Sequence, residues 1–471
     1  MNRNNFLIHL ALAVVLILIA AFAGQLNRWR KHWRPHRISM GVTEKKRVAT
    51  AEEIALAESR SSRPEVLVKF KPGVSLETID ELTSRFNDRV EDRIESDPGL
   101  ESIDDLDNAD AAETAAQYSA LPEVEYAEPN MEIELDAVEG ALPPIVPSDP
   151  RFDDQWALAN SGQRGGKQGA DISAMHAWLT TTGSDKVVVA VLDSGVDYRH
   201  EDLAPNMWKR PASVAPYHDD QLGTIDDEDG FNAIDNASDP MDENGHGTHC
   251  AGIVGAEGGN NIGITGVNWK VRIMPLKFMN AGGFGTTKDA IEAINYVIDR
   301  KKAGVNVRII SASWGGTQRS RALEEVIRKA YENDILFVAA AGNSTVNNDR
   351  QPHYPSSYPN VLSVAALDRN DALASFSNYG LKSVAIAAPG KEILSTWLGN
   401  DYKEASGTSM ATPVVAGVAA LVVAENPRIS VEQLKKQILA SADPIPALKG
   451  KITTGGRVNA AKAVGNNKLS E

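Results

Sequence analysis

The stretch Val187-Val-Val-Ala-Val-Leu-Asp193-Ser-Gly195 decides how the rest of the chain is read. Six apolar residues in succession, without polar alternation, describe a strand covered on both faces, and a carboxylate stands at its end. Further apolar runs follow at Val271–Phe278, Val307–Ala312, Ile335–Ala340, Val361–Ala366 and Val384–Ala388. Between them, Ala290, Ile291, Ile294, Val297 and Ile298 form one helical stripe, and Leu323, Val326, Ile327 and Ala330 form another. Buried strands alternating with helices predict an α/β domain: a parallel sheet with helices on both faces, three layers in all. Chemistry in such sheets sits at the carboxyl ends of the strands, so the unusual residues there are the candidates.

Two further segments join Asp193. Asn244-Gly-His246-Gly-Thr-His249-Cys-Ala-Gly252 opens one helix, and Gly407-Thr-Ser409-Met-Ala-Thr-Pro413 opens another. A serine hydroxyl is a weak nucleophile unless an imidazole takes its proton, and the imidazole needs a carboxylate to fix its tautomer. Ser409, His246 and Asp193 supply one of each. Attack on an amide also creates an oxyanion that needs aligned donors. Asn343, ending Val338-Ala-Ala-Ala-Gly342-Asn343, and the Ser409 backbone N–H are the candidates. Singly, each residue has a plainer role: Asp193 as a turn, Ser409 as a helix cap, His246 and His249 as a sparse metal pair. Their coincidence, with flanking glycines and in the order Asp–His–Ser, carries the argument.

On these motifs the chain from about Asp149 to Val464 resembles a subtilisin-like serine peptidase, a subtilase. The resemblance implies that Asp193 orients, His246 acts as base and then acid, Ser409 attacks and Asn343 completes the oxyanion hole. It implies a peptide substrate bound as an added strand along Ser313-Trp314-Gly315 and Ala340-Ala341-Gly342. The small residues there imply an open pocket for large apolar side chains, with His353 standing where a glycine is common. Trp314 reads either as a subsite wall or as a residue packed behind its strand. The resemblance also implies a structural calcium site from Asp202, Asn260, Ile262, Ile264 and Gln155, with Asp153 or Asp154 as substitutes for the last. A second acidic group, Asp226 to Asp229 with Asp235, Asp239 and Asp242, is either a solvated loop or another calcium site.

Upstream, Glu65-Val-Leu-Val-Lys-Phe-Lys-Pro72-Gly73 alternates and stops at a turn, as a strand does. Ile79, Leu82, Phe86 and Val90 recur at helical spacing, a second helical stretch lies near Ala109–Leu121, and Val124-Glu-Tyr126-Ala-Glu128-Pro-Asn130 closes the unit. Strand–helix–strand–helix–strand over 65–136 predicts a small α+β module, and it resembles the inhibitory propeptide of subtilases, an intramolecular inhibitor made with its enzyme. Residues 137–148 then form the processing linker, 149–466 the peptidase domain and 467–471 a tail. Phe6 to Ala23 is apolar apart from His9 and ends Ala21-Phe22-Ala23, so 1–24 reads as a signal peptide or an uncleaved membrane anchor. The basic run 25–64 reads as a linker. Positive charge beside a span favours the cytoplasmic side, which conflicts with the extracytoplasmic location that the signal grammar predicts.

With 471 residues the chain has material for several domains. Its single cysteine, Cys250, excludes an internal disulfide framework. The formal charge of −15 is unevenly spread: residues 77–140 carry 21 acidic and 3 basic side chains. A nucleic-acid partner is not expected from this balance, and Asp193-Ser-Gly195 lacks the G-x-G-x-x-G of a dinucleotide site. The sequence therefore predicts a monomeric serine endopeptidase made as a zymogen. The competing reading is a catalytically silent protein that keeps the fold for binding.

Overall fold

The computed structural model describes residues 65–131, apart from 95 and 108, and residues 144–465, apart from 221 and 222. The signal or anchor reading of 1–24, the basic linker, most of the processing linker and the tail lie outside the described residues. The chain divides into two units, Met1–Val138 and Glu139–Glu471.

The first unit runs β1 (Glu65–Phe70), α1 (Leu76–Arg85), β2 (Asp88–Arg93), β3 (Leu100–Asp105), α2 (Ala111–Ser119) and β4 (Val124–Pro129). Its antiparallel sheet has the order β2-β3-β1-β4. The buried faces of Val66, Val68 and Phe70 meet Ile79, Leu82, Ile103 and Tyr118 in one core. The helical spacing from Ile79 does not extend to Val90 as expected. Asn87 adopts a left-handed conformation at φ 61°, and the chain turns there into β2. Between the helices stand two strands instead of the one expected, and they form the hairpin β2–β3. Charges pair across it, with Arg89 opposite Asp104 and Arg93 opposite Glu101, the pairs closing at 2.6 and 3.1 Å. Cross-strand ion pairs here stand where apolar pairs usually do.

The second unit contains α3 (Ala174–Ala177), β5 (Gly183–Asp193), β6 (Tyr217–Asp219), β7 (Gly223–Ile225), β8 (Phe231–Asn232), α4 (His246–Gly255) and β9 (Lys270–Lys277). It continues through α5 (Thr287–Lys302), β10 (Val307–Ala312), α6 (Arg321–Glu332), β11 (Leu336–Ala340), β12 (Val361–Leu367), β13 (Ile386–Pro389), β14 (Ile393–Trp397) and β15 (Asp401–Ala405). It ends with α7 (Thr408–Glu425), α8 (Val431–Ala440), β16 (Asp443–Pro444), β17 (Gly456–Arg457) and α9 (Ala460–Ala463). The main sheet has the order β16-β17-β13-β12-β11-β10-β5-β9-β8. All of its pairings are parallel except β16 with β17.

Two cores form on the two faces of this sheet. On one, α5 and α6 turn Ala290, Ile294, Val297, Leu323, Val326 and Ile327 onto the strands, and each helix opens with a side-chain cap, Thr286 or Ser320. On the other lie α4 and α7. Helix α7 is apolar on every side and, among the described residues, is the one helix long and apolar enough to cross a membrane, yet it is 83% buried inside the domain. It is the central core helix. The Asn268 amide ties it to α4, donating to Val254 O and Gly417 O, both at 3.0 Å. The two helices that carry His246 and Ser409 are thus braced from one side chain.

Candidate active site

Asp193 ends the central strand β5 and is buried. Its Oδ1 accepts from the Ser194 N–H at 2.8 Å and faces His246 Nδ1 at 2.7 Å. His246 can begin α4 there because Gly245 holds φ at +98°, where any Cβ would fall 2.5 Å from the Trp397 ring. Asp242 organises the turn, accepting from the N–H groups of Asn244, Gly245 and Thr248 and from Thr248 Oγ1. Ser194 adds a second brace, its Oγ accepting the Gly247 N–H at 3.0 Å.

Burial works against charge on the His246 ring, and the Asp193 carboxylate overrides it, holding the imidazole well above the ordinary histidine range. The neighbouring Cys250 thiol is pushed up by burial. It is therefore uncharged at neutral pH and adds little to that pull. Cys250 Sγ lies 4.0 Å from His246 Nδ1 and 3.6 Å from the Ser409 carbonyl oxygen, so it touches both residues. His249 is a different case. Its Nε2 faces the carbonyls of Ile393 and Lys403 at 3.1 and 2.9 Å, and burial lowers its pKa to about 4. A neutral ring donating to two carbonyls is a structural post, not a metal ligand.

Ser409 sits in the first turn of α7. Its Oγ donates to the Ser313 carbonyl at 3.1 Å, while Ser313 Oγ donates to the Ser409 carbonyl at 2.7 Å. Asn343 is fixed from the same turn: its Oδ1 accepts from Thr408 N at 2.8 Å and from Thr408 Oγ1 at 2.9 Å. Because an N–H can only donate, this settles which end of the amide is which, and Nδ2 is left without a protein partner among the described residues. Thr408, fully buried, also accepts the Gly342 N–H at 3.1 Å. Sequence patterning alone gives Thr408 no role. Its position between Gly407 and Ser409 was the available signal, since a buried hydroxyl there must find partners.

Ser313 and Gly315 follow β10, and Ala340 ends β11 with Ala341 and Gly342 following it, on adjacent parallel strands. Trp314 lends this edge its backbone alone. Its indole Nε1 donates to Leu192 O at 2.9 Å and the ring packs on Phe278, with centroids 4.8 Å apart. Of its two roles, packing behind the strand is the one these contacts give it, not that of a subsite wall.

The expected cation site is partly redrawn. Asp202 is buried, with Oδ1 accepting from Asn260 Nδ2 at 2.9 Å and Oδ2 from Ile264 N at 3.0 Å. Ile262 N donates to Asn260 Oδ1 at 2.7 Å, which shapes the same loop. Gln155, however, is consumed by Thr265: its Nε2 donates to Thr265 O at 2.7 Å and its Oε1 accepts Thr265 N at 2.9 Å. Asp149 stands in its stead, with Oδ2 accepting Gly259 N at 2.7 Å and Oδ1 buried without a partner. Burial raises Asp149, with a smaller push from Glu257, and burial lifts Asp202 to about 6, with a smaller push from Asp149. Neither is ion-paired among the described residues. Two buried carboxylates with an orphaned oxygen fit a hard cation. Asp153 is exposed and Asp154 pairs with Arg151.

The second acidic group does not converge. Asp226 pairs with Arg210 and Asp229 with Lys209. Asp227 binds Tyr296, Arg300 and Arg210, Asp235 accepts from Asn232, Asp239 from Tyr198, and Asp242 serves the turn before His246. These carboxylates turn to separate basic and polar partners rather than toward one another, which is the solvated-loop alternative and not a calcium site.

Comparison with known proteins agrees with this geometry. The family model described as the subtilase family matches residues 184–467, and that of the fervidolysin N-terminal prodomain matches 59–130. A thermophilic serine proteinase of Bacillus sp. (strain AK1) is 33% identical over 88% of this chain and 91% of its own length. Thermitase of Thermoactinomyces vulgaris is 36% identical over 68% of this chain and 99% of its own. Among solved structures, a protease from Pseudoalteromonas arctica PAMC 21717 superposes with a TM-score of 0.57 at 29% identity, covering 68% of this chain and 99% of that one. With its catalytic fold, its prodomain and these relatives, the chain belongs to the subtilase family of serine endopeptidases.

Proposed function

We propose that this subtilase cleaves peptide bonds through Asp193, His246 and Ser409, and that it is made as a zymogen which processes itself. The observation that carries the proposal is the 2.7 Å contact between Asp193 Oδ1 and His246 Nδ1, with the Ser409 turn meeting the same ring through Cys250. His246 Nε2 takes the Ser409 proton as Oγ attacks the carbonyl, and Asp193 holds the resulting imidazolium in place. The proton then passes to the leaving amine. The Asn343 amide and the Ser409 N–H, at the start of α7, receive the developing oxyanion. One observation favours a silent protein: the Ser409 hydroxyl is donated to Ser313 O. Hydrogen bonds of this kind commonly realign only with substrate bound. A fluorophosphonate probe decides between the two readings. Labelling of the processed chain that disappears in Ser409→Ala supports the peptidase, and a processed chain that takes no label sinks it.

The substrate is polypeptide, and the prodomain acts as the chain's own inhibitor until removed between 135 and 149. The hydrophobic segment 6–23 directs the chain out of the cytoplasm, either as a cleaved signal or as an anchor. The enzyme works as a monomer. Calcium is the structural cation, held by Asp149, Asp202 and Asn260 with the 262–264 loop. Its charge offsets two carboxylates that burial otherwise penalises. Chelation with EDTA therefore lowers the melting temperature and added calcium restores it. Saturation at about 1,000 times Kd corresponds to roughly 4 kcal/mol. The Asp149→Ala variant loses this response. A wild-type melting temperature indifferent to EDTA would remove calcium from the account.

Cys250 provides a separate check on the site. A stoichiometric mercurial attached to Sγ displaces the His246 ring and the Ser409 turn, so activity falls with metal bound, and Cys250→Ala is resistant. Full activity in the mercury-loaded wild type would mean that the thiol does not communicate with the centre.

A further inference from the structure

The two backbone segments that flank Ser409 each contain a glycine that faces the same side chain. A Cβ on Gly315 would fall 2.2 Å from His353 Cε1 and 2.8 Å from its Nε2. A Cβ on Gly342 would fall 3.0 Å from His353 Cδ2. The outer edge of the imidazole thus spans the gap between the segments that continue β10 and β11. Both segments are tied to the nucleophile's turn, Ser313 through the Ser409 carbonyl and Gly342 through Thr408 Oγ1. A peptide laid along these two segments as an added strand, as the proposed function requires, turns a side chain next to Ser409 toward the gap between them.

The ring is held firmly. Tyr354, the next residue, exchanges both backbone hydrogen bonds with Gly316, at 2.7 and 2.8 Å. Ser356 Oγ, buried, donates to the His353 carbonyl at 2.8 Å and meets Nδ1 at 3.1 Å. The His353 N–H donates to Ser357 Oγ at 3.2 Å. Burial lowers the pKa of the ring, so at neutral pH it is uncharged and offers no attraction for an acidic side chain.

We infer that His353 fills the principal specificity pocket and restricts this peptidase to small residues, alanine or serine in kind, before the scissile bond. This deepens the proposed function and rests on it. It also replaces the expectation of an open pocket for large apolar side chains, which followed from the small wall residues without the side chain that lies between them. A phenyl ring and the imidazole cannot share the space between two glycine faces, because interiors this close-packed do not absorb an extra ring.

The test compares tetrapeptide p-nitroanilides that differ only in the last residue, alanine or phenylalanine, with the processed enzyme. Active sites are counted by fluorophosphonate labelling. Wild type is expected to favour alanine in kcat/KM by about tenfold or more, the scale of steric discrimination in apolar pockets. His353→Gly should raise the Phe:Ala ratio on the order of 100-fold, and the ratio does not depend on how much of the variant folds. His353→Ala, which keeps the backbone restrained, should move the ratio the same way if the glycine variant does not fold. Labelled wild type that prefers phenylalanine, or a ratio unchanged in both variants, overturns the inference and leaves the peptidase reading intact. Absence of labelling in processed wild type defeats the peptidase reading, and this inference with it.

Discussion

Ser409→Ala abolishes turnover and leaves the chain as unprocessed precursor. The expected fall in kcat is on the order of 10⁶, because nucleophile and base act as a unit and loss of either removes nearly everything both contribute. The fold does not suffer enough to explain such a loss. Ser409 is partly exposed, and its hydroxyl makes a single hydrogen bond, to Ser313 O at 3.1 Å. The turn around it is held instead by Thr408, Asn343 and Gly342. Melting temperature should therefore stay near that of the precursor, while mass spectrometry finds the prodomain still attached. A Ser409→Ala chain that matures normally in isolation would show that some other peptidase removes the prodomain.

Asp193→Asn is the second large effect, a fall in kcat on the order of 10⁴. Asp193 Oδ1 accepts from both Ser194 N and His246, whereas Oδ2 is buried without a partner. In the variant the oxygen keeps the Oδ1 position, and the amide nitrogen takes Oδ2. The hydrogen bonds survive, and what disappears is the charge that steadies the imidazolium. A pH profile separates this from simple misfolding. In wild type, activity is lost as pH falls through the His246 pKa, because the imidazolium cannot accept the serine proton. Asp193 is what holds that pKa up against burial, so the acid limb of the residual activity moves to lower pH in Asp193→Asn. An unmoved limb would mean that Asp193 does not set the charge of His246.

The parts of the site legible in sequence are those in which chemistry and chain position coincide. Asp193 ends an unbroken apolar strand, and His246 and Ser409 each open a helix beside glycines. These positions can be named before any contact is known, because a sheet of this type delivers strand ends and helix starts to one edge. Where a donor must be chosen among near neighbours, spacing is insufficient. Asp149, Asp153, Asp154 and Gln155 all lie within seven residues, and the short turn Phe152–Asp154 decides that Gln155 faces Thr265 while Asp149 faces the 259–260 loop. The acidic run near Asp227 misleads for a related reason. Of its cations, Lys209 and Arg210 stand just upstream, but Arg300, which with Tyr296 holds the buried Asp227, arrives from a helix some seventy residues away. The second strand between the helices escaped because Asp88–Arg93 and Leu100–Asp105 hold charged residues where apolar alternation is sought, and hydrophobic periodicity does not register cross-strand ion pairs. At His353 spacing gives least: small wall residues describe a pocket's outline and say nothing of a side chain that another segment brings beside it.

The brace at Asn268 has a consequence for how variants of this enzyme will sort. Its amide holds the helix that begins at His246 and the helix that carries Ser409 together at Val254 and Gly417, and a methyl group at Gly417 would stand 2.7 Å from the Val267 Cβ. A genetic screen for lost activity will therefore recover Gly417→Ala and Asn268→Ala alongside changes in the cleft, although neither residue meets substrate. Selection acting on turnover will conserve this interior strut as tightly as the catalytic groups, and any redesign of the core for heat resistance must be scored by rate as well as by melting.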